Sequence, residues 1–166
     1  MNTYIRIRTI TLIAIAATLA ACGRTSLQGP PELRLGRSEC AECGMLVSED
    51  RCSSSLLVES RGLREHLLYD DIGCMLDHEH KGLPGFNIIE RYVHDHNTRH
   101  WVQAENASFL FTDPQTLYTP MGSGIVAYST KSDAIAAAET HGGMVLDLAQ
   151  LADARIAWKQ RRYTSP

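Results

Sequence analysis

The sequence predicts an α+β fold: two similar small ββαβ halves packed together, mostly antiparallel sheet with helices on one side. Three observations lead there. Short aliphatic runs such as Leu56-Leu57-Val58 and Ile125–Tyr128 end in Gly, Pro, Asp or Ser turns, as strands joined by hairpins do. Each half holds one helix with its own start and stop signals, Asp70 or Asp71 to Gly82 and Thr130 to Gly142-Gly143. The order strand, strand, helix, strand occurs twice, without residue-level identity between the halves. Runs of strand relieved by single helices belong to the class with helices laid on antiparallel sheet. At 166 residues, 44% apolar and 21% charged, the chain can bury one modest core or two small halves sharing one.

The elements follow in order. Arg6 and Arg8 precede a short apolar run, Ile10–Leu19, in a segment without acids. That layout is a targeting segment rather than part of the fold. It ends in Leu19-Ala20-Ala21-Cys22, which looks like a bacterial lipobox and implies cleavage before Cys22 and acylation of that cysteine. Two or more acyl chains give stable anchoring to a membrane. Gly23, not an acid, follows Cys22, which in lipoproteins of this kind implies the outer membrane, facing the periplasm. Residues 22–39, with Gly29-Pro30-Pro31, read as a flexible tether, and 40–166 as the folded domain, in halves of about 40–97 and 98–166.

In the first half, Leu56–Val58 and Arg64–Tyr69 are strands joined at Ser60-Arg61-Gly62. Asp70 or Asp71 caps a helix whose Ile72, Met75 and Leu76 share one face, and Gly82-Leu83-Pro84-Gly85 stops it. Ile88–Val93 is the next strand. In the second half, Ser108–Thr112 and Ile125–Tyr128 are strands separated by a loop that ends in Thr119-Pro120-Met121-Gly122-Ser123-Gly124. Thr130–Asp133 is a capping box for an alanine-rich helix. Met144–Leu146 is the last strand, and Leu148–Trp158 a short closing helix.

Chemistry concentrates in Cys40-Ala41-Glu42-Cys43-Gly44-Met45. Three soft sulfur side chains within six residues suit Cu(I), whereas a harder cation selects carboxylates and carbonyls. Gly44 gives the backbone freedom for Cys43 and Met45 to turn toward one centre. Met121, between Pro120 and Gly122, lies outside any helical or strand periodicity and is a candidate thioether ligand. The alternatives for C-x-x-C are a redox pair or a disulfide, and Cys40, Cys43, Cys52 and Cys74 allow three disulfide pairings. Cys74 reads as a small buried hydrophobe, Met75 as core, and Cys52 as a spare thiol or half of a disulfide. The pairs His94/His96 and His78/His80 match no zinc spacing and read as solvated surface.

Several classes are excluded. The formal net charge is −3, and a nucleic-acid partner would require a basic face. No nucleophile-elbow or phosphate-cradling sequence occurs, so the chain is read as a binding protein, not an enzyme. The rivals to a copper site are a periplasmic thiol–disulfide oxidoreductase using Cys40 and Cys43, and a disulfide-stapled envelope module. Met121 separates them, because redox chemistry has no use for it.

Taken in order, Cys22, Cys40–Met45, Tyr69-Asp70-Asp71-Ile72-Gly73-Cys74-Met75, Trp101–Ala104, Pro120–Gly124 and Gly142-Gly143 resemble the NosL family, accessory lipoproteins of nitrous-oxide reductase. The resemblance spans essentially all of the chain after the targeting segment. It implies a Cu(I)-binding protein that helps supply copper to the reductase or its assembly machinery, or to another envelope cuproprotein. It also implies two similar α+β halves related to an organomercurial lyase domain. The expected ligand set is Cys43, Met45 and Met121 around one Cu(I), with Cys40 as a fourth contact or exchange ligand. That site is expected where the two halves meet.

Overall fold

The computed structural model describes residues 27–164; the targeting segment and Cys22 lie outside the described residues. The first half builds an antiparallel sheet from β1 (Ser54–Ser60), β2 (Leu63–Tyr69), β3 (Asn87–His94) and β4 (Trp101–Gln103), in the order β2-β1-β3-β4. Helix α1 (Ile72–Lys81) lies between β2 and β3 in the chain. A single 3-10 turn, Ala104–Asn106, leads into the second half. There β5 (Ser108–Phe111), β6 (Ile125–Tyr128) and β7 (Met144–Leu146) form a sheet in the order β6-β5-β7, with α2 (Lys131–His141) between β6 and β7. Helix α3 (Leu148–Thr164) closes the chain and is longer than its apolar spacing foretold.

The ββαβ plan therefore recurs with one strand order, second-first-third, in both halves. β4 is an addition to the first, paired to the edge of β3 through Val93 and Val102. The β1–β2 hairpin turns on Arg61 (φ 52°) and Gly62 (φ 76°), with Ser60 opposite Leu63. Both central residues have positive φ, the two-residue geometry that matches the natural twist of paired strands.

Side-chain alternation then assigns the faces. Leu56 and Val58 of β1 meet Phe109 and Phe111 of β5 and Ile72 and Met75 of α1 in one buried cluster, which Leu151 of α3 completes. The other face of the second sheet packs Leu110, Val126 and Tyr128 against Ala134 of α2 and the buried Cys52. The larger core is thus shared by both halves. Asp77 of α1 ties α3 in place: Arg155 meets it through two bonds, Nε–Oδ1 at 3.1 Å and Nη2–Oδ2 at 3.0 Å, and Lys159 adds a third at 2.8 Å.

Residues 27–39, read from the sequence as part of a tether, run against the first half. Gly29 donates to Glu90 Oε2 at 3.1 Å, Arg64 donates to the Leu27 carbonyl, and Glu39 bridges Leu46.

The reading of the His94/His96 pair changes. His94 is buried, not solvated: its Nδ1 lies 2.7 Å from Ser53 Oγ and its ring stacks on Trp101 at 3.6 Å. The pairing of β4 with β3 brings Trp101 there, and no local pattern announces it. His96 packs edge-on against Tyr128.

Burial pushes the His94 imidazole down to about 4, from an ordinary value near 6.5. The folded state therefore favours neutral His94, while the unfolded chain takes up its proton near pH 6.5. The full stability is present above pH 6.5 and declines as the pH falls toward 4, by about 3 kcal/mol from this group. Urea unfolding at pH 7 and pH 4.5 should show the decline, and replacing His94 with Gln should flatten it.

Candidate metal centre

The Cys40–Met45 segment is a closed turn. Cys40 N–H donates to the Met45 carbonyl at 2.8 Å, and Gly44 N–H to the Cys40 carbonyl at 2.8 Å. Gly44 adopts φ 74°, a conformation that costs glycine little and other residues more. Ala41 N–H donates to the Leu68 carbonyl at 2.7 Å, which fixes the turn against the end of β2. Lys81 at the end of α1 pairs with Glu42 from outside.

β2 runs straight into α1 at Tyr69-Asp70-Asp71, and the two acids divide the work. Asp71 is the N-cap: its Oδ1 accepts from Gly73 N–H at 2.7 Å, satisfying one of the free amides of the first turn. Asp70 faces the cysteine turn, with its Oδ1 3.9 Å from Cys43 Sγ. Cys74 sits in the first turn of α1, off the Ile72–Met75–Leu76 stripe. Its side chain leans back toward the helix start, as helical side chains do.

The result is a cluster of Cys40, Cys43, Asp70 and Cys74 whose sulfur and carboxylate oxygen atoms all lie within 4.8 Å of one another. Cys40 (2% exposed), Asp70 and Cys74 are buried, while Cys43 is at the surface. All four cysteines among the described residues, Cys52 included, are free thiols. The Cys52 thiol, packed beneath Val126 and Tyr128, is pushed up to about 12 by burial and takes no part in the cluster.

Charge within the cluster is graded. The Cys74 thiol donating toward the Cys40 sulfur pulls the Cys40 thiol down against burial, helped by the Asp70 and Cys43 amides. Cys74 is pushed up, because it holds the shared proton beside that sulfur and is itself buried. Burial, the Cys40 sulfur and Asp71 raise the Asp70 carboxyl to about 7. Partial burial raises the Cys43 thiol, opposed by the Met45 amide donating to its sulfur. Such a pocket is charged and partly desolvated, built from soft donors with a single oxygen. It suits a soft cation.

Of the sequence-predicted residues, Cys40 and Cys43 fall inside the cluster. Met45 projects from the same turn with 53% of its surface exposed, and Met121 is 41% exposed. Met121 comes from the second half, yet its N–H donates to Asp71 Oδ2 at 3.0 Å. Asp71 therefore caps α1 with one oxygen and holds the Met121 loop with the other, one residue away from Asp70. Thr119 Oγ1 accepts from the Ser123 and Gly124 amides at 2.9 and 3.2 Å, so the loop is internally braced. Asp70 and Cys74 are the members that sequence reasoning left out. Only one of two adjacent acids can cap and Cys74 lies off the apolar stripe, but neither fact picks out a ligand until the fold brings the Cys40–Met45 turn against the start of α1.

Gly73 makes the docking of this loop possible. A Cβ placed there would lie 2.6 Å from Ser123 Cβ and 3.1 Å from Asp71 Oδ1. Gly73→Ala should push the Met121 loop off α1 at a cost of about 1–3 kcal/mol, the usual range for overpacking. Ala is the better helix former, so a stabilised Gly73→Ala protein in urea melts would show that the loop yields freely.

The family model for NosL matches residues 34–156. This chain belongs to the NosL family. Among NosL relatives, the copper-binding lipoprotein NosL of Stutzerimonas stutzeri is 27% identical over 170 residues, covering 94% of this chain and 86% of that protein. The crystal structure of the copper chaperone NosL from Shewanella denitrificans superimposes with a TM-score of 0.58 at 24% identity, covering 75% of this chain and 96% of that one. That likeness shows that the pair of ββαβ units is the NosL fold. No helix among the described residues is long and apolar enough to cross a membrane.

Proposed function

We propose that this protein is a Cu(I) carrier of the bacterial envelope, anchored through an acylated Cys22 on the periplasmic side of the outer membrane. It hands copper to nitrous-oxide reductase or the machinery that matures it. The observation that carries the proposal is the convergence of three free thiols and a carboxylate within 4.8 Å, open to the surface at Cys43. The names of the relatives, a copper-binding lipoprotein and a copper chaperone, agree with that chemistry.

A carrier must hold its ion against water and free thiols, yet give it up to a partner. Cys43, Met45 and Met121 serve as the Cu(I) ligands at the surface, with Cys40 as the fourth contact or exchange ligand. Neutral thioethers beside one or two thiolates keep the coordination low and the ligands replaceable, unlike a closed four-thiolate site. Asp70 and Cys74 line the buried side and hold the cysteine charges in place.

A thiol–disulfide oxidoreductase fits less well. The thiol with the lowered pKa, Cys40, is buried, while the accessible Cys43 is the one pushed up. An attacking thiol must be both thiolate and exposed.

Titrating the reduced full-length protein with Cu(I) against a competing chelator tests the proposal. One tightly held Cu(I) per chain is expected, with little competition from Zn²⁺, since thioethers contribute little to a zinc site. Comparable competition by Zn²⁺ would count against methionine ligation. Met121→Ala should weaken retention by about 1–3 kcal/mol, by analogy with the loss of one buried partner. Unchanged retention removes Met121 from the ligand set.

A further inference from the structure

Met121 opens onto a groove of about 970 Å³ between β5, β7 and α3. Met144, the first residue of β7, is half exposed at the same groove, and Trp158 forms part of its floor. Its charge is unusual for this molecule. Among the described residues, Arg155, Lys159, Arg161 and Arg162 line it together with Asp77 and Asp113, on a protein whose formal net charge is −3. Asp77 engages both Arg155 and Lys159, and the Arg162 guanidinium lies over the Trp158 ring at 5.0 Å. The neighbouring groove between α1 and α3 shares Asp77, Arg155 and Lys159 but adds Arg91 against Glu79, Glu105 and Asp147, so it carries no such excess.

We propose that this basic groove is the docking surface for an acidic segment of the protein that exchanges copper with this chain. The groove supplies an attractive field over a low, partly apolar floor, which speeds encounter and selects an acidic partner. Met121 is part of its lining, so a segment seated there comes beside the thioether one residue beyond Pro120. The exposed Met144 thioether faces the same space as a second soft contact. The identity of the partner rests on the copper reading above; the charge complementarity does not.

The test uses the full chain carrying Cys22→Ser and a fluorescent glutamate-rich octapeptide, followed by anisotropy. Binding should weaken at least tenfold in Arg161→Glu/Arg162→Glu and on raising salt from 50 to 300 mM, as expected of screened charge. Arg37→Glu, on an exposed turn elsewhere, should leave binding unchanged, and a lysine-rich octapeptide should not bind. If the double variant melts early, Arg162→Gln together with the salt series decides the question. Absence of peptide binding, or binding indifferent to these variants, overturns the proposal. So does binding to phosphatidylglycerol vesicles that the peptide cannot compete away, which would make the groove a membrane-facing surface. A protein that binds the peptide but retains no Cu(I) sinks the copper reading and leaves the acidic docking surface standing.

Discussion

Replacing Cys40 and Cys43 together with serine should abolish Cu(I) retention against a chelator that the parent protein withstands. Both residues belong to the cluster and to the ligand set expected from the sequence. Serine keeps the size but supplies a hard, protonated hydroxyl where a soft thiolate is needed. The loss should be on the order of 3 kcal/mol or more, at least a hundredfold in affinity, clearly beyond that of Met121→Ala. Cys43→Ser alone should leave the fold intact, because its side chain is at the surface. Cys40 is buried, so circular dichroism of the double variant must accompany the titration. A double variant that folds normally and keeps its copper would move the site away from the Cys40–Met45 turn.

Asp77→Ala should strongly destabilise the scaffold. Arg155 is 8% exposed, and its Nη1 is buried without a partner even with Asp77 present. Burial works to raise the Asp77 carboxyl, but Arg155 and Lys159 overcome it and hold the carboxyl below its ordinary range. Without Asp77 the guanidinium is buried against Trp158 with no counter-charge. Breaking a buried pair from one side costs about 3–5 kcal/mol. Urea denaturation would read this as a lower midpoint. A double variant, Asp77→Leu/Arg155→Met, should recover much of the loss, since well-packed apolar pairs are often neutral replacements for buried ion pairs.

Most of the scaffold could be read from local chemistry. The Arg61-Gly62 turn, the Asp71 and Thr130 caps, the glycine stops and the apolar stripe of α1 each act within a few residues, so the sequence displays them directly. Met75 is fully buried, as that stripe required. β4 was not legible, because three residues at a sheet edge carry no periodicity and their pairing is decided by β3. His94 escapes local reading for the same reason: its burial depends on Trp101 crossing from β4. At the site, the Cys40–Met45 turn announced itself, while Cys74 did not. A cysteine in a helix is usually packing, and only the tertiary approach of the turn to α1 makes it a neighbour of Cys40. Asp70 shows the limit of reading caps from sequence, since Asp70 and Asp71 are equivalent until the chain direction at the end of β2 is known.

The core that both halves share has a consequence for how the protein comes apart. Phe109 and Phe111 of the second half are buried by Leu56, Val58 and Ile72 of the first, so the larger core belongs to neither half alone, and the second half keeps only the smaller cluster around Leu110, Val126 and Ala134. All four cluster residues lie in the first half, between positions 40 and 74, yet that half cannot persist alone with its inner sheet face wet. Melting of the second half therefore dismantles the thiol pocket along with everything else. In a two-state sense the thiol pocket has the lifetime of the whole molecule.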